Sequence, residues 1–159
     1  MSVTTPSPDS ARPVPRPPAA ELGALAAALA GEHAAIYAYG VVGGQAGDAY
    51  RRASAERIAA HSVQRDLLAA ELSAAGTPPA AGAPAYTLPF AVRSVGDALR
   101  LAVHVEHALA ATYVDLVAAA APTRRARAAA RLTDCAEQAH AWGAEPQAFP
   151  GLPERAVSR

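Results

Sequence analysis

Four long alanine-rich segments, separated by residues that end or begin helices, most constrain the fold of this 159-residue chain. Alanine and leucine favour helix, and the rarity of phenylalanine and isoleucine argues against strand. Gly47 separates the first two segments, Ser94 and Asp97 resemble a capping box, and Pro122 opens the fourth segment. The predicted helices run from Ala19 to about Ala46, Asp48 to Ala75, Val95 to Ala120, and Thr123 to about Trp142. Each is long enough to span a bundle, so we expect an all-α fold.

The connection between the second and third helices decides the predicted topology. The other two links are short, and short links join antiparallel neighbours. Residues 76–93 instead contain four prolines and can extend to about 55 Å, whereas helices of the predicted length are about 40 Å long. This loop can therefore run the length of the bundle. We predict a ferritin-like four-helix bundle, up-down-down-up, with a long crossover between helices two and three.

Charge, hydropathy and cysteine content limit the kinds of partner and the cellular compartment that we expect for this chain. The formal net charge is zero, so no overall positive charge attracts nucleic acid or an anionic membrane. No apolar run approaches the roughly 20 residues of a membrane span, and the single cysteine, Cys135, rules out an internal disulfide. We expect a cytoplasmic protein without nucleic-acid or membrane partners. Small residues on the helix surfaces make a homodimer feasible.

The predicted domain organisation has three parts. Residues 1–18 are rich in proline and hold no apolar run, so we expect a disordered tail rather than a signal peptide. The bundle occupies residues 19–145, and residues 146–159 form a C-terminal extension.

Polar residues interrupt the apolar faces of three helices. Glu32 falls within the leucine stripe of helix one, and Glu106 lies near the centre of the stripe of helix three. His61 and Arg65 share the apolar face of helix two. Burying these groups without partners would cost several kcal/mol each. We therefore predict that Glu32, His61, Arg65 and Glu106 meet in a buried polar cluster.

Two tyrosines and four further arginines are expected to have structural roles only. Tyr39 and Tyr113 flank the carboxylates, and packing with a hydrogen-bonded hydroxyl is the commoner role for such residues. Four arginines near the start of helix four form a local basic patch, which we interpret as a solvated face. They are Arg124, Arg125, Arg127 and Arg131.

Four short stretches carry a family resemblance. They are residues 30–33 (AGEH), residues 61–66 in helix two, the loop AYTLPF at residues 85–90, and the ending FPGLPE at residues 149–154. Over about residues 20–154 the chain resembles a ferritin-like family of unknown function found in high-GC Gram-positive bacteria. The resemblance implies a ferritin-like fold with no established activity, and it does not imply bound iron.

A di-metal centre is one chemistry that such a bundle can carry. Carboxylate-bridged centres use a Glu from each of two helices and a Glu-x-x-His pair from each of the other two. Placed on this sequence, the pattern selects Glu32, His61, Glu106, Glu137 and His140 as metal ligands. Isoleucine occupies position 58, where the pattern requires the carboxylate of helix two. In addition, Glu137 and His140 fall outside the apolar stripe of helix four. Arg65 can replace a metal as the counter-charge.

Two main functional hypotheses follow. In the first, the bundle lacks a complete metal centre and serves as a binding or assembly module. In the second, an iron- or manganese-dependent oxidoreductase or ferroxidase-like protein binds its metal through Glu32, His61 and Glu106. Glu137 and His140 complete that site if helix four turns them inward. A pocket for a small apolar ligand inside the bundle is a third hypothesis.

Overall fold

The computed structural model describes residues 16–152. Four helices account for most of this range, and no strand occurs within it. They are α1 (Ala19–Gln45), α2 (Asp48–Ala74), α3 (Val95–Ala119) and α4 (Pro122–Ala141). The predicted all-α four-helix fold is confirmed. The predicted tail and C-terminal extension lie outside the described residues, except for their innermost parts.

The helix boundaries follow from local chemistry. Gly47 adopts φ 76° between α1 and α2, a backbone conformation that favours glycine. The Ser94 hydroxyl accepts a hydrogen bond from the backbone N–H of Asp97 at 3.1 Å, and the Asp97 carboxylate accepts one from the backbone N–H of Arg93 at 3.2 Å. Pro122 occupies the first position of α4, where its missing N–H costs nothing. The helices therefore end and begin at, or next to, the residues that the sequence predicted.

Side-chain contacts establish the direction of each helix. α1 packs against α2 and α3, and α3 packs against α4. Glu32 contacts Tyr113, and Tyr39, further along α1, contacts Glu106, earlier in α3. α1 and α3 are therefore antiparallel, so α2 and α3 run in the same direction. This is the up-down-down-up order with a long crossover predicted from the loop length.

The crossover lies against the bundle at several points. Leu88 and Phe90 pack on the apolar core, and the ring of His33 is 3.2 Å from the carbonyl oxygen of Ala80. A side chain at Gly82 would come within 2.8 Å of the His33 ring. The loop thus follows the surface of the bundle closely enough that a side chain at Gly82 would displace the His33 ring.

Two apolar clusters form the core. One surrounds Leu29 and Leu109 and the other surrounds Tyr39 and Leu101. His61 and Glu106 lie between these clusters in sequence on α2 and α3, Glu32 lies near their boundary on α1, and all three are fully buried. The centre of the bundle is therefore a polar layer between two apolar layers.

α1 and α3 are long and apolar enough to cross a membrane by length and composition alone. Core helices of helical bundles have the same properties. In this structure α1 and α3 pack against each other, with Glu32 and Glu106 on their inner faces.

Candidate functional site

The candidate site is the polar layer at the centre of the bundle. α1 supplies Glu32, α2 supplies His61 and α3 supplies Glu106, each 0% exposed. The three residues interrupt apolar helix faces, so packing of those faces brings them together. The structure thus unites three of the four residues that the sequence assigned to a buried cluster.

His61 bridges the two buried carboxylates. Its Nδ1 is 2.6 Å from Oε2 of Glu32, and its Nε2 is 3.4 Å from Oε1 of Glu106. The Tyr39 ring stacks on the imidazole, with the ring centres 5.3 Å apart. Nε2 also lies 3.4 Å from Nη2 of Arg57. In a neutral imidazole with its proton on Nδ1, Nε2 accepts a hydrogen bond from that guanidinium nitrogen.

The carboxylates decide which protonation state of His61 is favoured. Burial lowers the pKa of His61, but the hydrogen bonds and negative charges of Glu106 and Glu32 outweigh this effect and raise it above its usual value. In the protonated form both ring nitrogens donate, one to each carboxylate. Burial also raises the pKa of Glu106, but His61, Arg57 and Tyr39 together hold it below its ordinary range. The layer therefore favours an imidazolium between carboxylates.

Arg57, rather than Arg65, is the arginine of the cluster. The Arg57 side chain is 9% exposed, and its Nη2 lies 2.9 Å from Oε1 of Glu106 and 3.2 Å from Oδ2 of Asp134. Arg65, the residue predicted from the sequence, is 32% exposed and pairs with the neighbouring Asp66 at 2.8 Å. Both arginines lie one turn from His61, but only Arg57 reaches a carboxylate of α3 and one of α4.

Two tyrosine hydroxyls complete the bonds to the carboxylates. Tyr39 donates to Glu106 at 2.7 Å, and Tyr113 donates to Glu32 at 2.5 Å. Burial and the adjacent carboxylate raise the pKa of both tyrosines far above the usual value. Both hydroxyls thus remain protonated donors, the packing role that we expected for them.

A second arginine reaches the layer from α4. Nη2 of Arg131 is 3.3 Å from Oε1 of Glu32, and its Nη1 pairs with Asp134. From the sequence, Arg131 was expected in a solvated basic patch, and Asp134 had no predicted role. The available signal was their position beside the apolar stripe of α4, because long side chains next to such a stripe can reach inward.

The charges within this site balance. Glu32, Glu106 and Asp134 are negative, Arg57 and Arg131 are positive, and a protonated His61 makes the two totals equal. A buried ionic group is tolerated when its charges are paired and hydrogen-bonded. The site therefore compensates its own charges with the side chains of this chain.

These pKa shifts predict how stability depends on pH. His61 has a raised pKa, so it stabilises the fold fully below its unfolded pKa near 6.5, and this contribution disappears as the pH rises through the folded pKa. Glu106 has a lowered pKa, so its contribution is present above about 4.5 and disappears as the pH falls through its folded pKa. We expect the free energy of unfolding to be greatest between about pH 4.5 and 6.5 and to decline at higher pH, as His61 loses its proton in the folded state.

Urea denaturation across this pH range tests the assignment. His61→Gln should flatten the decline on the alkaline side, whereas the exposed His140→Gln control should retain it. Equal alkaline slopes in wild type and His61→Gln would show that His61 does not titrate as described.

The remaining predicted metal ligands lie outside the cluster. Glu137 and His140 are exposed, and Nδ1 of His140 is 2.9 Å from the carbonyl oxygen of Ala144. Ile58 packs against the apolar cluster around Tyr39. In residues 16–152 no group of three or more His, Cys, Asp or Glu side chains is arranged to hold a metal ion. The residues present therefore do not fit the di-metal pattern.

Cys135 gives the site no nucleophile. The thiol is buried on α4, and burial, together with the charge of Glu106, raises its pKa well above the usual value. The thiolate is the reactive form of cysteine. Cys135 is accordingly an inert part of the core.

Comparisons with known proteins place the chain among proteins without an assigned activity. A family model described as a domain of unknown function (DUF4439) matches residues 24–154. A crystal structure of a conserved hypothetical protein, rv2844, from Mycobacterium tuberculosis is similar, with 36% sequence identity and a TM-score of 0.75. The match covers 77% of this chain and 87% of that one. No curated protein matches the chain.

Proposed function

The chain belongs to the DUF4439 family of domains of unknown function, and we propose that it is a ferritin-like helical binding or assembly module whose centre is stabilised by an ionic cluster instead of a metal. The up-down-down-up order with one long crossover supports the ferritin-like assignment, since that topology is typical of ferritin-like bundles. The arrangement of the polar layer supports the metal-free assignment.

The contact between Arg57 and Glu106 is the observation that carries this proposal. A guanidinium group 2.9 Å from a fully buried carboxylate supplies the positive charge that a metal ion would otherwise supply. His61 and Arg131 do the same for Glu32 at 2.6 and 3.3 Å. Adding a divalent cation to a layer that is already balanced would leave an excess of buried positive charge, which is unfavourable.

The assembly part of the proposal is supported by the outer face of α2. Val63 and Leu67 lie one turn apart and are 57% and 47% exposed. Exposed apolar side chains on the same helix face are suited to burial against a partner. A second copy of this chain, in the cytoplasm, is the partner that we propose for this face.

A metal-dependent oxidoreductase is the alternative, and one atom favours it. Oε2 of Glu106 is buried and has no hydrogen-bond partner among the described residues. This oxygen could face an iron or manganese ion held by Glu32, His61 and Glu106. Glu137 and His140 could join only if α4 rotated, because both are exposed.

Metal analysis separates the two functions. Protein purified without chelators, and then incubated with iron(II) or manganese(II), is expected to hold far less than one metal ion per chain by elemental analysis. The physical reason is that Arg57 and Arg131 already occupy the positions of the counter-charge. Near-stoichiometric metal in wild type that disappears in Glu106→Gln would overturn the proposal, with Glu137→Gln as the matched exposed control.

A further inference from the structure

A second feature is a pocket between α1, α3 and the crossover, which is partly open to solvent. It is a cavity of about 170 Å³ whose wall is largely apolar. α1 contributes Ala34 and Tyr37, and α3 contributes Leu101 and Val105, while Leu88 belongs to the part of the crossover that forms one side of it. The cavity shares no residue with the polar layer of Glu32, His61 and Glu106.

The wall of this cavity is held in place by independent contacts. The rings of Tyr37 and Tyr86 lie 5.6 Å apart and join α1 to the crossover. The ring of Phe90 meets His104 edge-on at 6.3 Å and carries the Arg100 guanidinium at 4.6 Å. These contacts tie the crossover to α1 and to α3 on either side of the cavity. The space is therefore built into the fold.

The size and lining of the cavity indicate its ligand. An enclosed apolar cavity of about 150 Å³ accepts benzene, so this partly open pocket of about 170 Å³ has room for one six-membered ring with a small substituent. None of the arginines in residues 16–152 lines the cavity, so burying a negatively charged ligand there would be costly. Thr112 and the exposed His104 lie on the lining, where they can contact a polar substituent.

We propose that this cavity binds a neutral, single-ring aromatic molecule carrying at most one hydroxyl-sized polar substituent. The ring packs against Ala34, Leu101 and Val105, and the substituent points towards His104 and Thr112. This inference rests on the proposed role as a binding module and names the ligand class, but it does not depend on the absence of a metal.

Nuclear magnetic resonance titration with phenol and toluene tests the proposal. We expect saturable shifts of backbone amide signals confined to the cavity residues of α1, α3 and the crossover. Ala34→Leu places three further carbons inside the cavity and should weaken phenol binding at least about tenfold, because the ring no longer fits. Ala27→Leu adds the same atoms at an exposed position of α1 and should bind phenol like wild type.

The outcomes are decisive in each case. Shifts that do not saturate, that lie outside the cavity, or that persist unchanged in Ala34→Leu would overturn the proposal. If Ala34→Leu does not fold, Ala108→Leu fills the same cavity from α3 and replaces it. Elemental analysis of the same samples separates this inference from the proposed function. Metal-loaded protein that binds phenol would overturn only the metal-free proposal. Metal-free protein that binds neither phenol nor toluene would overturn only the proposed ligand site.

Discussion

Replacing Arg57 with leucine is expected to lower the free energy of unfolding by about 3 to 5 kcal/mol. The guanidinium pairs with Glu106 and Asp134, and Glu106 is completely buried. Removing the cation leaves the buried carboxylate with His61 as its remaining charged partner, at 3.4 Å. Removing one partner of a buried ion pair is costly because the other keeps its desolvation penalty. Urea denaturation at pH 6 to 7 measures the effect.

Arg65→Leu is the matched control for this substitution. It removes the same group one turn on the other side of His61, where the side chain is 32% exposed and pairs with a neighbour in sequence. The expected change is within about 0.5 kcal/mol, as for most surface substitutions. Comparable losses in the two variants would contradict the assignment of Arg57 to the cluster. Arg57→Lys should recover only part of the stability, because one ammonium cannot reproduce the forked contact with two carboxylates.

Glu32→Ala is expected to lower the free energy of unfolding by about 3 to 5 kcal/mol. Glu32 accepts hydrogen bonds from Tyr113 and His61 and pairs with Arg131. Its removal leaves the buried Tyr113 hydroxyl and Nδ1 of His61 without their partner and opens a cavity in the core. Thermal and urea denaturation should agree on the size of the loss.

Glu137→Ala provides the control for Glu32→Ala, since it removes the same side chain from an exposed position of α4. A change within about 0.5 kcal/mol is expected there. A double-mutant cycle between Glu32→Ala and Tyr113→Phe should show clear coupling, because the two side chains contact each other at 2.5 Å. Strictly additive losses would argue against that hydrogen bond.

Much of the cluster could be predicted from helical periodicity. Glu32, His61 and Glu106 each sit on an apolar face, and a face that packs inward carries its polar residues with it. The identity of the arginine could not be found this way. Arg57 and Arg65 lie four residues before and after His61, so a helical projection places them at equal angles on either side of it.

The position of α4 decides between these two arginines. Asp134 lies within 3.2 Å of Arg57, whereas the described contact of Arg65 is with Asp66 on its own helix. Asp134 stands beside, rather than within, the apolar stripe of α4, and that position does not say which neighbouring helix its carboxylate meets. Arg131 was missed for the same reason. Both depend on which neighbouring helix a long side chain meets.

The sequence by itself determined the four helices, their boundaries and the crossover, because these depend on local propensity, capping and the length of one loop. It also determined that Glu32, Glu106 and His61 point inward, since facing follows from a single helix. Only the tertiary structure decided that Arg57, Arg131 and Asp134 complete the charge balance and that the crossover forms one side of an apolar pocket. Those features depend on distances between different helices, which the periodicity of any one helix does not contain.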